Sequence, residues 1–174
     1  VYFVSNFIKN KFLEGIDGDF DNLYVLPNGI ERRLITKPYK KKEILFIGRL
    51  VPEKGAHLFV ESIKKIAKEH NDWQFKIIGT SKAGQSKLIT KYEKKVIEDF
   101  KLINNNTSYL GFISNYEVQE ALKSASILVI PSLWDDPFPL TALEGLSNGV
   151  AIIASNRGGL TEMLKNKAIL LENI

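Results

Sequence analysis

The chain of 174 residues contains no cysteine. That excludes a disulfide scaffold, thiolate zinc and iron–sulfur sites, and any thiol nucleophile. Histidine is scarce: His57 and His70 are the two present, and both read as helix-face residues rather than metal ligands. Methionine occurs once, at Met163, and the chain opens at Val1, so it is expected to be a piece of a longer polypeptide. No apolar run reaches the ~18 residues of a membrane span. No charged-then-apolar start resembles a signal peptide, and the expectation is a soluble, cytoplasmic segment. A Walker A loop and the G-x-G-x-x-G fingerprint are both missing, which argues against a P-loop NTPase and a nicotinamide-dependent dehydrogenase.

Arginine is also sparse, limited to Arg32, Arg33, Arg49 and Arg157. The formal net charge is +4 with a pI near 9.1, a balance that invites a nucleic-acid reading. The lysines, however, are mostly scattered over polar helix faces. The one dense run, Lys37 to Lys42, reads as part of a solvated surface connection over residues 31–43. Nucleic acid is therefore not expected as a partner.

What is present is alternation. Short apolar runs recur at 1–4, 23–26, 44–47, 75–78, 108–110, 127–130 and 150–153, bounded by Gly, Pro, Asn or Ser. Continuous rather than alternating hydrophobicity predicts parallel strands covered on both faces. Between the later runs, residues 56–69, 84–102, 115–124 and 140–148 carry apolar side chains at helical spacing. The pattern predicts an α/β fold, a doubly wound, mostly parallel sheet with helices on both faces. One domain over 1–174 is expected, long enough to bury about 70% of its unfolded surface. In such sheets ligands bind beyond the carboxyl ends of the strands.

Three stretches there could carry chemistry. In Gly48-Arg49-Leu50-Val51-Pro52-Glu53-Lys54-Gly55, an Arg follows a strand and a Lys sits at a helix mouth. Two cations beside a positive dipole end fit a bound anion, most simply a diphosphate. They could equally face solvent or pair with Glu53. In the stretch 131–144, Asp136-Pro137 reads either as N-cap and first turn of a helix or as a ligand-facing acid. Glu144 follows eight residues later, a spacing better suited to two ends of an elongated ligand than to one glycosidic bond. In 156–162, Gly158-Gly159 before Glu162 reads as a turn, or as a loop closing over a ligand. Trp73 and Trp134 read as packing aromatics, although Trp134 lies in the second stretch. Ser5 has no His partner and is not read as a nucleophile.

Taken together, the segments resemble the donor-binding C-terminal domain of family 4 (group 1) glycosyltransferases, a Rossmann-like half of the GT-B fold. The resemblance runs in order through Val4-Ser5-Asn6, Pro27-Asn28-Gly29-Ile30, Gly48-Arg49-Leu50 to Lys54-Gly55, Ile77-Ile78-Gly79, Leu110-Gly111-Phe112-Ile113, Pro131-Ser132 with Asp136 to Glu144, and Gly149 with Gly158-Gly159. Any one of these is common, whereas seven in register are specific. The resemblance implies a retaining enzyme that uses a nucleotide-sugar, UDP- or GDP-linked, without a metal or other cofactor. It implies that Arg49 and Lys54 hold the diphosphate, that Asp136 faces the transferred sugar and that Glu144 binds ribose hydroxyls. Backbone groups at Phe138, Leu140 and Thr141 would contact sugar or phosphate, and Gly48, Gly79, Phe112 and Ile113 would border the nucleoside. Asp136 stands where the family usually has Glu, and Pro139 where it has Gly, so the reach to the sugar and one backbone donor differ. An acceptor glycan or lipid would be bound by an N-terminal domain outside this sequence, with peripheral docking at the inner face of the membrane left open. The pathway implied is lipopolysaccharide, capsule or other glycoconjugate synthesis, and the isolated chain is expected to bind donor weakly without turnover. The alternative is a non-catalytic α/β nucleotide-binding or interaction module. An epimerase or a phosphorylase of similar fold is a third reading, and no segment suits the pyridoxal-phosphate lysine site of a phosphorylase.

Overall fold

The computed structural model describes residues 1–18, 20–31, 39–82 and 89–172. A parallel six-stranded sheet forms the body. Its strands are β3 (Lys41–Ile47), β4 (Gln74–Ile78), β5 (Thr107–Gly111), β6 (Ala125–Ile130), β7 (Ala151–Ser155) and β8 (Ile169–Leu171), in the spatial order β5-β4-β3-β6-β7-β8. The chain starts in the middle, winds outward to β5, then returns to β6 beside β3 and winds the other way. β1 (Tyr2–Phe3) and β2 (Tyr24–Val25) form a separate parallel pair.

Alternation along each strand explains the two covered faces. Leu45 and its cross-strand partner Leu128 join a core with Ile152, Leu122, Ala142 and Leu164. Phe46 and its partner Val129 turn to the opposite face, onto Phe59, Ile63, Val96 and Phe100. The first face is covered by α4 (Asn115–Ser124), α5 (Leu140–Ser147) and α6 (Gly158–Leu164), and the second by α2 (Ala56–Ile66) and α3 (Lys91–Lys101). Burial on both sides is why the central strands read as unbroken apolar runs. The doubly wound parallel architecture matches the expectation.

Helix starts follow local chemistry. Ser114 caps α4 in a capping box with Glu117, and Thr90 caps α3 by accepting from the Glu93 N–H at 3.1 Å. Ser5 caps α1 (Asn6–Leu13), which accounts for its burial without a nucleophilic role. The second cap of α1 comes from far away: the Glu162 carboxylate accepts from the N–H groups of Asn6 and Phe7, each at 3.0 Å. This ties the first helix to α6.

Several expectations shift. Residues 32–38 of the predicted connection lie outside the described residues, and Lys41 to Glu43 belong to β3 rather than to a connection. Glu43 is buried there because its carboxylate accepts from Lys76 Nζ at 2.8 Å on β4 and from Ser124 Oγ at 3.3 Å. The helix predicted over 84–102 is described from Lys91, and 84–88 lie outside the described residues. Helix α5 begins at Leu140 with Pro139 as its N-cap, so Asp136 is not a helix cap. That leaves its carboxylate for other work.

Gly55 marks the tightest packing between layers. Its φ is +69°, and a Cβ there would lie 1.8 Å from the Pro131 carbonyl oxygen. An L side chain meets both backbone strain and a rigid peptide. We expect Gly55→Ala to lower unfolding free energy by about 2–4 kcal/mol in urea denaturation. Gly29→Ala, which meets nothing within 4 Å, should change stability by less than about 0.5 kcal/mol. Equal effects at the two positions would show that the Gly55 contact carries no weight.

Candidate functional site

The order of strands reverses between β3 and β6, and a crevice opens beyond their carboxyl ends. The segments that follow these two strands are stitched together by one backbone oxygen. The Glu53 carbonyl accepts from Leu133 N–H at 2.8 Å, Trp134 N–H at 3.2 Å and Ser132 Oγ at 3.2 Å. Ser155, after β7, donates its hydroxyl to the carbonyls of Ser132 at 2.7 Å and Ile130 at 3.2 Å. Both serines are fully buried. The 131–136 segment is thereby fixed on both sides.

This stitching brings Lys54, in the short turn Pro52–Lys54, against Asp136. Lys54 Nζ donates to Asp136 Oδ2 in a largely buried ion pair. Lys54 therefore pairs with the acid eighty-two positions away rather than with its neighbour Glu53. Arg49 is exposed and makes no ion pair among the described residues. Arg49, Lys54, Asp136 and Trp134 together line a cleft of about 370 Å³.

A second pocket of about 170 Å³ adjoins it through Arg49. Its walls include Ile47, Gly48, Ile78, Gly79, Phe112 and Ile113, so it is almost wholly apolar. Glycine is required at its floor: Gly79 has φ +126°, and a Cβ would lie 2.0 Å from the Gly48 carbonyl oxygen. A mostly apolar pocket of this kind suits an uncharged group better than a phosphate.

Glu144 opens into a third cavity of about 240 Å³ with Glu31, Asn115, Gln119 and Ser147. Its Oε1 accepts from Gln119 Nε2 at 3.1 Å and Asn115 Nδ2 at 3.4 Å. Burial holds the carboxyl above the usual carboxylate range, and the two amide hydrogen bonds offset part of that rise. Asp136 and Glu144 thus open into different cavities, as suits two ends of one elongated ligand.

The remaining predicted positions divide. Leu140 and Thr141 are the first two residues of α5, where N–H groups have no intrahelical partner. Phe138 packs its ring on the core beneath the crevice. Gly158 and Gly159 are neither a free turn nor a lid. A Cβ on Gly159 would lie 2.1 Å from the Pro137 carbonyl oxygen, and its N–H donates to Asp136 O at 2.7 Å. The paired glycines let α6 press directly on the backbone carrying Asp136.

Sequence reasoning missed Asn115, Gln119 and Glu31 beside Glu144, and the two serine hydroxyls that fix the 131–136 segment. Polar residues on α4 carry no signal of a site until α5 is packed beside them. Among the described residues, no cluster of His, Asp and Glu is arranged to hold a metal ion, and no helix is long and apolar enough to cross a membrane.

Known proteins resemble this chain over most of its length. An uncharacterised glycosyltransferase of Methanocaldococcus jannaschii is 32% identical over 164 residues, which cover 92% of this chain and 41% of that protein. The lipopolysaccharide 1,2-N-acetylglucosaminetransferase of Salmonella typhimurium is 26% identical over 121 residues, covering 70% of this chain and 32% of that enzyme. The chain therefore spans less than half the length of these relatives. The fold is shared with Anabaena HepE, solved in complex with UDP-glucose, at a TM-score of 0.78 and 17% identity over 99% of this chain and 49% of that one. The model for glycosyl transferases group 1 matches residues 29–173, a span that takes in every cavity-lining residue named above, and the chain belongs to that family.

Proposed function

We propose that this chain is the donor-binding half of a retaining hexosyltransferase that takes a sugar from a UDP- or GDP-linked donor. The observation that carries the reading is a set of three cavities: an apolar pocket, a cleft with two cations and an acid that adjoins it through Arg49, and a third holding a half-buried carboxylate. A nucleoside diphosphate sugar needs each of these three surroundings. Its base suits the pocket at Gly79, Phe112 and Ile113. Its diphosphate suits Arg49 and Lys54, and its ribose hydroxyls suit Glu144. The UDP-glucose complex of HepE supports a UDP-linked donor. The Salmonella relative supports a role in lipopolysaccharide or similar glycoconjugate synthesis. The acceptor, a glycan or lipid, would be held by a further domain, with the reaction in the cytoplasm at the inner face of the membrane.

In transfer, the bond between the anomeric carbon and the diphosphate oxygen breaks and a bond to the acceptor oxygen forms. Negative charge grows on the leaving diphosphate oxygen, and that oxygen takes the proton given up by the acceptor hydroxyl. Arg49 and Lys54 stabilise that charge, which is greatest as the bond breaks. Asp136, beside Lys54, faces the departing sugar. Two fixed cations at the diphosphate make a divalent ion dispensable for donor binding.

Three outcomes follow for the chain in calorimetric titration. Arg49→Ala should weaken UDP binding about 10- to 100-fold, the worth of one charge-assisted hydrogen bond of about 1.5–3 kcal/mol. Unchanged affinity would remove Arg49 from the diphosphate site. Replacing Mg²⁺ by EDTA should leave the UDP dissociation constant unchanged, and a strict Mg²⁺ requirement would defeat the metal-free reading. For pH, UDP-glucose is the better probe because its phosphates hold no proton in the working range. Ionised Glu144 accepts ribose hydroxyls, and burial raises its carboxyl above the ordinary Glu range. Affinity is therefore full above that raised value and falls as pH drops through it. Glu144→Gln should weaken binding at neutral pH and flatten this dependence. A wild-type profile identical to that of the Gln variant would show that Glu144 does not touch the donor.

A further inference from the structure

Trp134 is 60% exposed, an unusual state for the largest apolar side chain. Its backbone is nonetheless among the most constrained in the crevice. Its N–H donates to the Glu53 carbonyl at 3.2 Å, and its own carbonyl accepts from Ser132 Oγ at 3.1 Å and from the Asp136 N–H at 2.9 Å. The residue on either side is held as well: Leu133 N–H donates to Glu53 O, and Asp135 lies 3.9 Å from Arg157 as an ion pair. The backbone that carries the indole is thus anchored, and Trp134 lines the same cleft as Arg49, Lys54 and Asp136. Trp73 shows the contrast, packed partly buried against the α2–α3 core.

We infer that the Trp134 indole is a platform on which the apolar C–H face of a pyranose ring stacks, and that it is a specificity-determining residue of this site. The inference rests on the proposed donor site and adds the residue that selects the sugar. Ion-pair and hydrogen-bond partners in this cleft can bind phosphate and hydroxyls. They offer no surface to the carbon face of a sugar, and among the described residues that line the cleft the apolar side chains are Val51 and the larger Trp134. An aromatic side chain has only two torsions to order, and on an anchored backbone it loses little entropy on stacking. It also covers apolar area on both partners. The ring could belong to the donor sugar or to the acceptor, since both must meet beside Asp136.

A Trp73→Phe background leaves Trp134 as the single indole reporter. Calorimetry with UDP alone establishes the nucleotide site, and fluorescence then reads the sugar. A change in Trp134 emission with UDP-glucose, UDP-N-acetylglucosamine or GDP-mannose, absent with UDP or GDP, assigns the platform to the donor ring. A change that appears only when methyl pyranosides are added to the UDP-saturated chain assigns it to the acceptor. In either case Trp134→Ala should lose about tenfold in affinity for the sugar-bearing ligand while keeping that for UDP, and Trp134→Phe should retain most of it. If UDP binds and Trp134 emission answers neither kind of ligand, the platform is overturned while the donor site stands. If neither UDP nor GDP binds, both fall together.

Discussion

The three hydrogen bonds converging on the Glu53 carbonyl are the contact on which the crevice depends. They join the turn after β3 to the segment after β6, the two strands where the winding of the sheet reverses. The Ser132 hydroxyl among these donors is fully buried, and leaving it unpaired would cost about 1–3 kcal/mol. The clasp also explains the neighbouring residue choices. Gly55 must lack a side chain because the Pro131 carbonyl lies where its Cβ would be. Ser132 must be small and hydroxylated because its oxygen serves both Glu53 and Trp134. With those two conditions met, Lys54 and Asp136 arrive side by side without any long-range attraction being needed to bring them there.

The fold holds a second largely buried ion pair, and comparing the two separates structure from function. Glu43 and Lys76 pair across β3 and β4, toward the start of the strands, and Ser124 takes the second carboxylate oxygen. That cluster is closed, with both oxygens of the acid engaged. Lys54 and Asp136 instead open into a cleft that they share with a free Arg49. A buried pair contributes little net stability once desolvation is counted. The first is best understood as joining two strands, and the second as a charge pair that stays open to a ligand, which on the proposed reading is a diphosphate that takes up part of the Lys54 hydrogen bonding.

Much of this was legible in the sequence, because the central strands are buried on both faces and announce themselves as apolar runs. β6 and β7 read directly from Ile127 to Ile130 and from Val150 to Ile153. β8 was not legible: its three residues form an edge, with Ile169 and Leu171 exposed, so nothing distinguishes them from a polar-flanked turn. The start of α5 misled for a different reason. Asp136-Pro137 has the local chemistry of a cap and first turn, but the Pro137 carbonyl packs against Gly159 and α5 does not begin until Leu140, after Pro139. The glycine pair could be seen in the sequence. Its reason lies in residues more than twenty positions earlier, which only the packed fold brings into contact.

The carboxylate at the far end of the crevice shows how such a site can be precise while half exposed. Glu144 is oriented by Gln119, and Gln119 is itself buried and oriented by Asn148, whose amide nitrogen donates to Gln119 Oε1 at 2.8 Å and to the Glu144 carbonyl at 2.9 Å. Asn148 is fully buried at the end of α5, and its carbonyl accepts from Lys40 Nζ at 2.8 Å. That lysine also reaches the carbonyls of Leu122 and Lys123 at the end of α4. The cation satisfies orphan carbonyls at the ends of two helices at once, where the helix dipole favours positive charge. A rotation of Glu144 would therefore break a bond to Gln119 that is fixed in turn by the buried join between α4 and α5. The site carboxylate inherits its rigidity from the helix pair behind it, which is why its partners belong to a helix that shows no motif of its own.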